Sequence, residues 1–259
     1  MADLPSDVSL GALITVGIVT LAVTIVVIFL YIRYIERRRL PAITLAVTFT
    51  FWDLGALSVF IGSLIHYIKQ PIAADSYQFV RYGFNIGYAF SAISNIFLVI
   101  FVSQIFAQSP MFRKTYKLVP LINAIFNGVT IGLIVDTIIA DPKNPAYALE
   151  QTIYHLIMTF IAFLLLLFFS IGARGRVQFR WEKAGFSFII GSALAGIMIY
   201  LMLALDRVAT LFVPGFEEGY TPFLYIGWSF AILMCTLAYA GYVMPTFLRR
   251  LFKEEKNLG

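Results

Sequence analysis

Residues 44–64 read TLAVTFTFWDLGALSVFIGSL, and Asp53 is the one acidic or basic residue among them. The nearest charged residues along the chain are Arg39, fourteen positions earlier, and Lys69, sixteen positions later. At a helical rise of about 1.5 Å per residue, each lies roughly 21–24 Å from Asp53. This pattern predicts a membrane-spanning helix with Asp53 close to the centre of the bilayer.

The whole chain has the composition of a membrane protein. Of its 259 residues 60% are apolar and 13% are charged, whereas a soluble domain carries about 25% charged residues. Seven apolar runs are long enough to cross about 30 Å of hydrocarbon. They are residues 11–32, 41–68, 79–106, 118–140, 152–171, 184–205 and 221–243. We therefore predict an all-α, multi-pass membrane protein with one seven-helix domain over residues 1–259, including a short basic interfacial tail at 244–259.

The basic residues indicate how this bundle is oriented. Fifteen of the nineteen lysines and arginines follow the first, third, fifth and seventh spans. The other four, on the opposite side, are Lys69, Arg81, Lys143 and Arg207. The positive-inside rule then predicts that the N-terminus is outside and the C-terminus is in the cytoplasm of a cell-membrane protein. Topology explains the net charge of +5, so we expect no nucleic-acid partner.

The two ends of the chain and its cysteine content give smaller predictions. The start, MADLPSDVSL, has two acids and no basic residue, so we expect the first span to remain uncleaved. Cys235 is the only cysteine, which excludes an intrachain disulfide. In the tail, aromatic and aliphatic side chains alternate with Arg249, Arg250 and Lys253, a pattern typical of a short helix at the inner interface. The acids Asp75, Glu217 and Glu218 are expected on the outer side.

Several functional classes lack the residues that they require. A retinal Schiff base needs a lysine in the last span, and all seven lysines lie outside the predicted spans. The third span ends in SQIFAQS, without the acid-arginine-aromatic triplet of rhodopsin-type receptors. A phosphate-binding loop, an HExxH motif and paired intramembrane acids are also missing, so we expect no enzymatic activity. His66 and His155 could serve as axial haem ligands. Histidines at a membrane boundary are more often hydrated, so we expect both to be exposed and no cofactor to be bound.

Amides and hydroxyls in two spans form the first candidate site. Asn85, Ser91, Ser94 and Asn95 lie in the third span, and Asn123 and Asn127 lie in the fourth. At bilayer depth these groups need partners, so they should face the bundle interior and each other. We predict that Asp53 is a neutral acid held by Ser91, Ser94 or Asn95, and the competing hypothesis is cation binding. Asp53, Ser91, Asn95 and Asn127 are therefore the candidate ligand or ion site.

A second candidate site lies toward the outer side. His66, Arg81, Asp136, His155 and Arg207 fall at comparable heights and could form a polar mouth; a salt-bridged rim is the alternative. In the same region Gly83 and Gly87 stand four residues apart, which would let a neighbouring helix approach closely.

The segments FTFWDLGALSVFIG, residues 49–62, and FVRYGFNIGYAF, residues 79–90, carry a family resemblance. Together with the seven-span layout, they resemble the seven-helix sensor region found at the N-terminus of many prokaryotic histidine kinases and related signalling proteins. The resemblance implies a sensor. Sixteen residues follow the last span, which is too few for a kinase or cyclase region, so we expect any signal to pass through a cytoplasmic partner at the basic turns.

Three functions stay open from the sequence. The first is a receptor or sensor for an unknown small ligand. The second is a small ion-coupled transporter that uses Asp53. The third is a non-catalytic membrane subunit, or a scaffold for a prosthetic group, to which the 16% aromatic content would be suited.

Overall fold

The protein is a bundle of helices. The computed structural model describes residues 6–72, 76–143, 145, 149–214, 216 and 220–252. Within these residues the elements are α1 Ser6–Arg37, α2 Leu40–Lys69, α3 Gln78–Ile105, α4 Phe112–Thr115, α5 Leu118–Ala140, α6 Leu149–Arg176, α7 Arg180–Phe212, α8 Pro222–Val243 and α9 Thr246–Leu251. All but the short α4 and α9 are long and apolar enough to cross a membrane. The prediction of an all-α multi-pass membrane protein is therefore confirmed.

The observed helices differ from the predicted spans mainly in length. The fourth span coincides with α5, and the second, third and seventh agree with α2, α3 and α8 to within one residue at each end. The first, fifth and sixth spans are longer as helices, at Ser6–Arg37, Leu149–Arg176 and Arg180–Phe212. Hydropathy marks the hydrocarbon-facing part of a helix, whereas the backbone hydrogen bonds continue into the polar residues on either side.

Proline and a left-handed residue set several helix ends. Pro41 and Pro222 lie in the first turns of α2 and α8, where a backbone N–H has no helical acceptor to lose. Met244 adopts a left-handed conformation, with φ of 46°, and ends α8 before Pro245. The chain then forms α9, which corresponds to the predicted interfacial helix. Lys253 and Lys256 of that predicted tail, and the outward acids Asp75, Glu217 and Glu218, lie outside the described residues.

The seven long helices close into a ring. They pack in the order α1, α2, α3, α5, α6, α7 and α8, and α8 returns to contact α1. Helix α3 also contacts α6, so it lies closest to the interior of the ring. We call the end of the bundle where α1 begins the N-terminal end, and the end where α8 finishes the C-terminal end.

Large apolar side chains cover the outside of the ring. On α1, Ile14, Ile18, Leu21 and Ile25 recur every three or four residues, and all four are exposed. This spacing places them on one helix face. Such a face is suited to lipid tails, so the bilayer is the environment that the outer surface contacts.

Glycines bring the backbones of α2 and α3 together. A Cβ atom on Gly83 would lie 2.8 Å from the carbonyl oxygen of Ser58, and one on Gly62 would overlap the carbonyl oxygen of Phe79. Gly87 lies in the same way against Gly55. The close approach predicted for Gly83 and Gly87 is therefore confirmed, and the neighbour is α2.

Candidate functional site

A continuous chain of polar side chains crosses the interior of the ring. We call it the central network, and it links α2, α7, α3, α6 and α5. Its members are all buried, none more than 8% exposed. In order they are Trp52, Tyr200, Ser91, His155, Thr159, Asn95, Asn127 and Asn123.

In the first half of the central network, one donor is fixed by its chemistry. The Trp52 indole can only donate, and its Nε1–H lies 3.2 Å from the Tyr200 hydroxyl oxygen. Tyr200 is in turn hydrogen-bonded to Ser91, whose Oγ lies 3.0 Å from Nε2 of His155. If Tyr200 uses its proton toward Ser91, Ser91 donates to His155. In that arrangement His155 accepts at Nε2 and is a neutral imidazole with its proton on Nδ1.

His155 Nδ1 is buried and has no hydrogen-bond partner among the described residues. Aromatic rings surround the imidazole: its centroid lies 5.0 Å from the Tyr88 ring and 5.6 Å from the Tyr200 ring. The ring is therefore held by packing on both sides and by the contacts of Nε2 with the Ser91 and Thr159 hydroxyls.

The second half of the central network consists of amides. Asn95 donates to Thr159 over 2.8 Å, and its Nδ2 lies 3.5 Å from Oδ1 of Asn127. Asn127 donates to the backbone oxygen of Asn123 over 2.9 Å, and Asn123 donates to the backbone oxygen of Asn95 over 3.3 Å. The prediction that the amides of the third and fourth spans face the interior and each other is confirmed for Asn95, Asn123 and Asn127, whereas Asn85 bonds to the Arg81 backbone and to Gln151 of α6.

Asp53 has a different partner from the one predicted. Its Oδ2 lies 2.9 Å from the hydroxyl oxygen of Thr24, on α1, and the side chain is half-buried. Ser91 and Asn95 are engaged in the central network, and Ser94 donates to the backbone oxygen of Thr48. The prediction that the third span holds Asp53 is therefore wrong. The sequence defines the face of α2 that carries Asp53, but it does not say which helix packs against that face, and here it is α1.

Three predicted outer residues gather at the N-terminal end of the bundle. His66 Nδ1 lies 3.0 Å from the Ser76 hydroxyl, and the Arg81 guanidinium lies 5.2 Å from the centre of the Tyr77 ring. Arg207 lies within electrostatic reach of Arg81. His66 itself packs edge-on against Tyr77.

The two histidines differ from expectation in exposure. His66 is 5% exposed and His155 is 1% exposed, so the prediction that both are hydrated is wrong. Tyr77 and Tyr220 cover His66. His155, on α6, lies among the rings of Tyr88 and Tyr200. Aromatic cover of this kind cannot be read from the position of a histidine in a span.

The structure distributes the remaining outer residues differently. Asp136 is exposed on α5, and His155 belongs to the central network. Tyr88 lies between the two regions, because its ring contacts His155 while its hydroxyl group interacts electrostatically with Asp206 and Arg207. The outer residues at the N-terminal end (His66, Arg81 and Arg207) and the central network are therefore neighbours, joined through Tyr88.

Two cavities flank Trp52. The first, of about 50 Å³, lies between Trp52 and Trp228 and is also lined by Ser91 and Tyr200 of the central network. We call it the tryptophan cavity. The second, of about 30 Å³, lies on the other side of Trp52 and is lined by Asn95 among mainly apolar residues. Each exceeds the roughly 10–15 Å³ that one water requires.

Trp228 contributes an unsatisfied donor to this region. Its ring meets Trp52 in a T-shaped contact at 6.1 Å, and the side chain is 7% exposed. The indole Nε1–H is buried without a hydrogen-bond partner among the described residues. Buried donors of this kind are rare in folded proteins and call for an explanation.

Sequence reasoning missed Trp52, Tyr200 and Trp228 as site residues. A signal was present, because aromatic residues with a polar atom usually lie at the two membrane interfaces. Trp52 instead stands near the middle of α2, and Trp228 of α8 packs against it, at a depth where an indole N–H needs a partner inside the protein.

The described residues contain no group of three or more His, Cys, Asp and Glu side chains that could hold a metal ion. Comparisons with protein-family models, with curated proteins and with solved structures find no match to this chain. No family is therefore assigned, and function is inferred from the central network and the tryptophan cavity.

Proposed function

We propose that this protein is a seven-helix membrane receptor. A small ligand binds at the centre of the bundle and changes the helix arrangement, and a partner at the cytoplasmic end responds to that change. The observation that supports this proposal most strongly is the position of the tryptophan cavity directly against the central network, which joins five helices.

The hydrogen bonds of the central network connect the tryptophan cavity to the helices. Trp52, Ser91 and Tyr200 belong both to the cavity wall and to the network. An occupant that takes one of their hydrogen bonds leaves another buried polar group unsatisfied, at a cost of about 1–3 kcal/mol. The network then rearranges to satisfy it, and its members are carried by α2, α3, α5, α6 and α7. A change of this kind is the discrete switch between two packings that signalling by a bundle needs.

The C-terminal end offers a place for the partner. A groove of about 460 Å³ opens between the start of α7 and the end of α8, and Trp181, Glu182, Met244 and Arg249 are part of its lining. The Arg249 guanidinium lies 4.5 Å from the centre of the Trp181 ring, which ties α9 to α7. The basic turns lie at the same end, which the positive-inside rule assigns to the cytoplasm. The resemblance to kinase sensor regions supports the same direction of signalling.

The two other hypotheses have less support from the geometry. A transporter using Asp53 would have this acid in a central pathway, whereas its carboxyl group lies against Thr24 at the contact of α1 with α2. A haem scaffold would bring His66 and His155 to one group, whereas His66 is bonded to Ser76 and His155 to Ser91. The receptor that we propose is not an enzyme, and its mechanism needs no cofactor.

Distance measurements between spin labels test this proposal. Labels on cysteines at Ile35 and Arg176, in a Cys235→Ala background, report the spacing of α1 and α6 at the C-terminal end in nanodiscs. Ser91→Ala, which breaks the network, should shift or broaden the distance distribution. The matched control is Ser229→Ala, because Ser229 is exposed and its hydroxyl bonds within its own helix.

Two results would contradict the receptor proposal. One is a distance distribution that Ser91→Ala leaves superimposable on that of the unmodified background. The other is net sodium or proton uptake by proteoliposomes that Asp53→Asn abolishes, because that result would assign the protein to the transporters.

A further inference from the structure

We propose that the tryptophan cavity binds a small neutral organic molecule with an apolar body and one hydrogen-bond acceptor, such as a short ketone, which accepts from the Trp228 indole N–H. This inference rests on the proposed function, since it names the chemical class of the ligand that the receptor would take.

The apolar residues of the cavity wall indicate that most of the ligand is apolar. Ala56, Val59, Phe84, Ile199 and Leu203 contribute most of the lining beside the two tryptophans. A cavity of about 50 Å³ with such walls accommodates a molecule of few heavy atoms. A water at this place would need two to four polar partners to be held, and so much apolar lining supplies few of them.

The hydrogen bonds of the residues that line the cavity indicate that the ligand carries a hydrogen-bond acceptor. Trp52 uses its indole N–H on Tyr200, and the Tyr200 and Ser91 hydroxyls are bonded to each other and onward to His155. Trp228 is 7% exposed, and its buried N–H has no hydrogen-bond partner in the part of the chain that the structure describes. An indole N–H is a donor with no acceptor capacity, so the ligand atom that satisfies it must be an acceptor.

The uncharged wall of the cavity indicates that the ligand is neutral. None of the residues lining the tryptophan cavity is Asp, Glu, Lys, Arg or His. A charged ligand would lose its hydration without gaining an ion pair, which disfavours its entry. A carbonyl oxygen loses little in comparison when the indole donates to it.

The three tryptophans allow a direct test by nuclear magnetic resonance. In protein labelled with ¹⁵N-tryptophan, each indole N–H gives one signal, and Trp→Phe variants assign Trp52, Trp181 and Trp228. The probes are 2-butanone and 2-methyl-1-butene, which have the same shape but differ in that a methylene group replaces the carbonyl oxygen. Trp181 lines the groove at the C-terminal end, so it serves as an internal control for partitioning into the micelle.

The expected result is a saturable downfield shift of the Trp228 indole proton with the ketone, with no such shift for Trp181. Trp228→Phe should weaken ketone binding about five- to tenfold, as the loss of one hydrogen bond implies, and change alkene binding less than twofold. Equal shifts at Trp228 and Trp181 would overturn the proposal. So would equal affinity for ketone and alkene, or a Trp228 indole that exchanges with water and does not respond to the ketone.

The spin-label distances separate this proposal from the proposed function. If 2-butanone binds at Trp228 while the spacing of the labels at Ile35 and Arg176 stays constant, the ligand class stands and the receptor function fails. If Ser91→Ala shifts that spacing while 2-butanone leaves Trp228 unchanged, the receptor function stands and the ligand class fails.

Discussion

The hydroxyl oxygen of Thr24 lies 2.9 Å from Oδ2 of Asp53 and also 2.9 Å from the backbone oxygen of Thr20. A hydroxyl has one proton to donate, and both neighbours are acceptors when Asp53 is ionised. A proton on Oδ2 satisfies both contacts, because Asp53 then donates to Thr24 and Thr24 donates to Thr20. The geometry therefore indicates that Asp53 is a neutral carboxylic acid, as its depth in the bilayer favours.

The first prediction concerns substitutions of Asp53. Asp53→Asn should leave the unfolding temperature in detergent nearly unchanged, because the amide also donates to Thr24. Asp53→Leu removes that donor and should cost about 1–3 kcal/mol. Infrared difference spectra of wild type against Asp53→Asn should show the carbonyl band of a protonated acid. A carboxylate band in its place would contradict the neutral state.

A second prediction concerns Ser91, which bonds to both Tyr200 and His155. Ser91→Ala should lower the free energy of unfolding by about 1–3 kcal/mol, because two buried polar groups lose their partner. The control Ser229→Ala should have little effect. In a double-mutant cycle, Ser91→Ala and Tyr200→Phe should be non-additive, since both break the same hydrogen bond. Additive effects would show that the two hydroxyls are not coupled.

The third prediction is the tautomer of His155. We predict that Tyr200 donates to Ser91 and Ser91 donates to His155, an arrangement in which the imidazole proton lies on Nδ1. The chain has two histidines, so ¹⁵N spectra of the imidazole groups can be assigned with His66→Gln. A protonated Nδ1 and an unprotonated Nε2 are expected for His155. The reverse pattern would mean that Ser91 accepts from His155.

Features that follow from the spacing or the depth of residues within a span could be predicted from the sequence. Asn95 and Asn127 were correctly expected to face the interior and each other's helix, because amides at bilayer depth on adjacent spans have few other choices. Gly83 and Gly87 were correctly assigned to a helix contact, because two glycines four residues apart leave one face of a helix without side chains.

The rest required knowledge of which helices are neighbours. Asp53 was given to the third span because Ser91, Ser94 and Asn95 reach its depth, whereas α1 packs against the face of α2 that carries it. Tyr200 meets Trp52 across the bundle, 148 positions apart in the chain, and no local pattern relates them. The burial of His66 could not be predicted for the same reason, because Tyr220, which covers it, lies in the connector before α8.

The fourth prediction tests the contact between α2 and α3. Gly62→Ala should lower the free energy of unfolding by about 1–3 kcal/mol, because the new methyl group overlaps the backbone of α3 at Phe79. Gly128→Ala is the matched control, since a Cβ atom there meets no neighbour within 4 Å. That variant should change stability by less than about 1 kcal/mol. Equal effects at the two positions would contradict the close contact.

The last prediction concerns orientation. A cysteine at Ile72, which is 86% exposed at the N-terminal end, should react with a membrane-impermeant thiol reagent in intact cells. A cysteine at Tyr116, which is 49% exposed between α4 and α5, should react only after permeabilisation. Wild type is the control, because Cys235 is 1% exposed. Reversed labelling would place the basic turns outside.

The inward face of α5 has a consequence for how the protein is assembled. Its buried residues are Asn123, Asn127, Thr130 and Ile134, so this helix is attached to the bundle largely through polar groups. Alone in lipid, the two amides would have to satisfy each other, and only in part. Their further partner is Asn95, on a helix that precedes α5 in the chain and so leaves the ribosome earlier. Synthesis from the N-terminus therefore supplies this partner before the amides of α5 arrive, and α5 need not wait for the three long helices still to come.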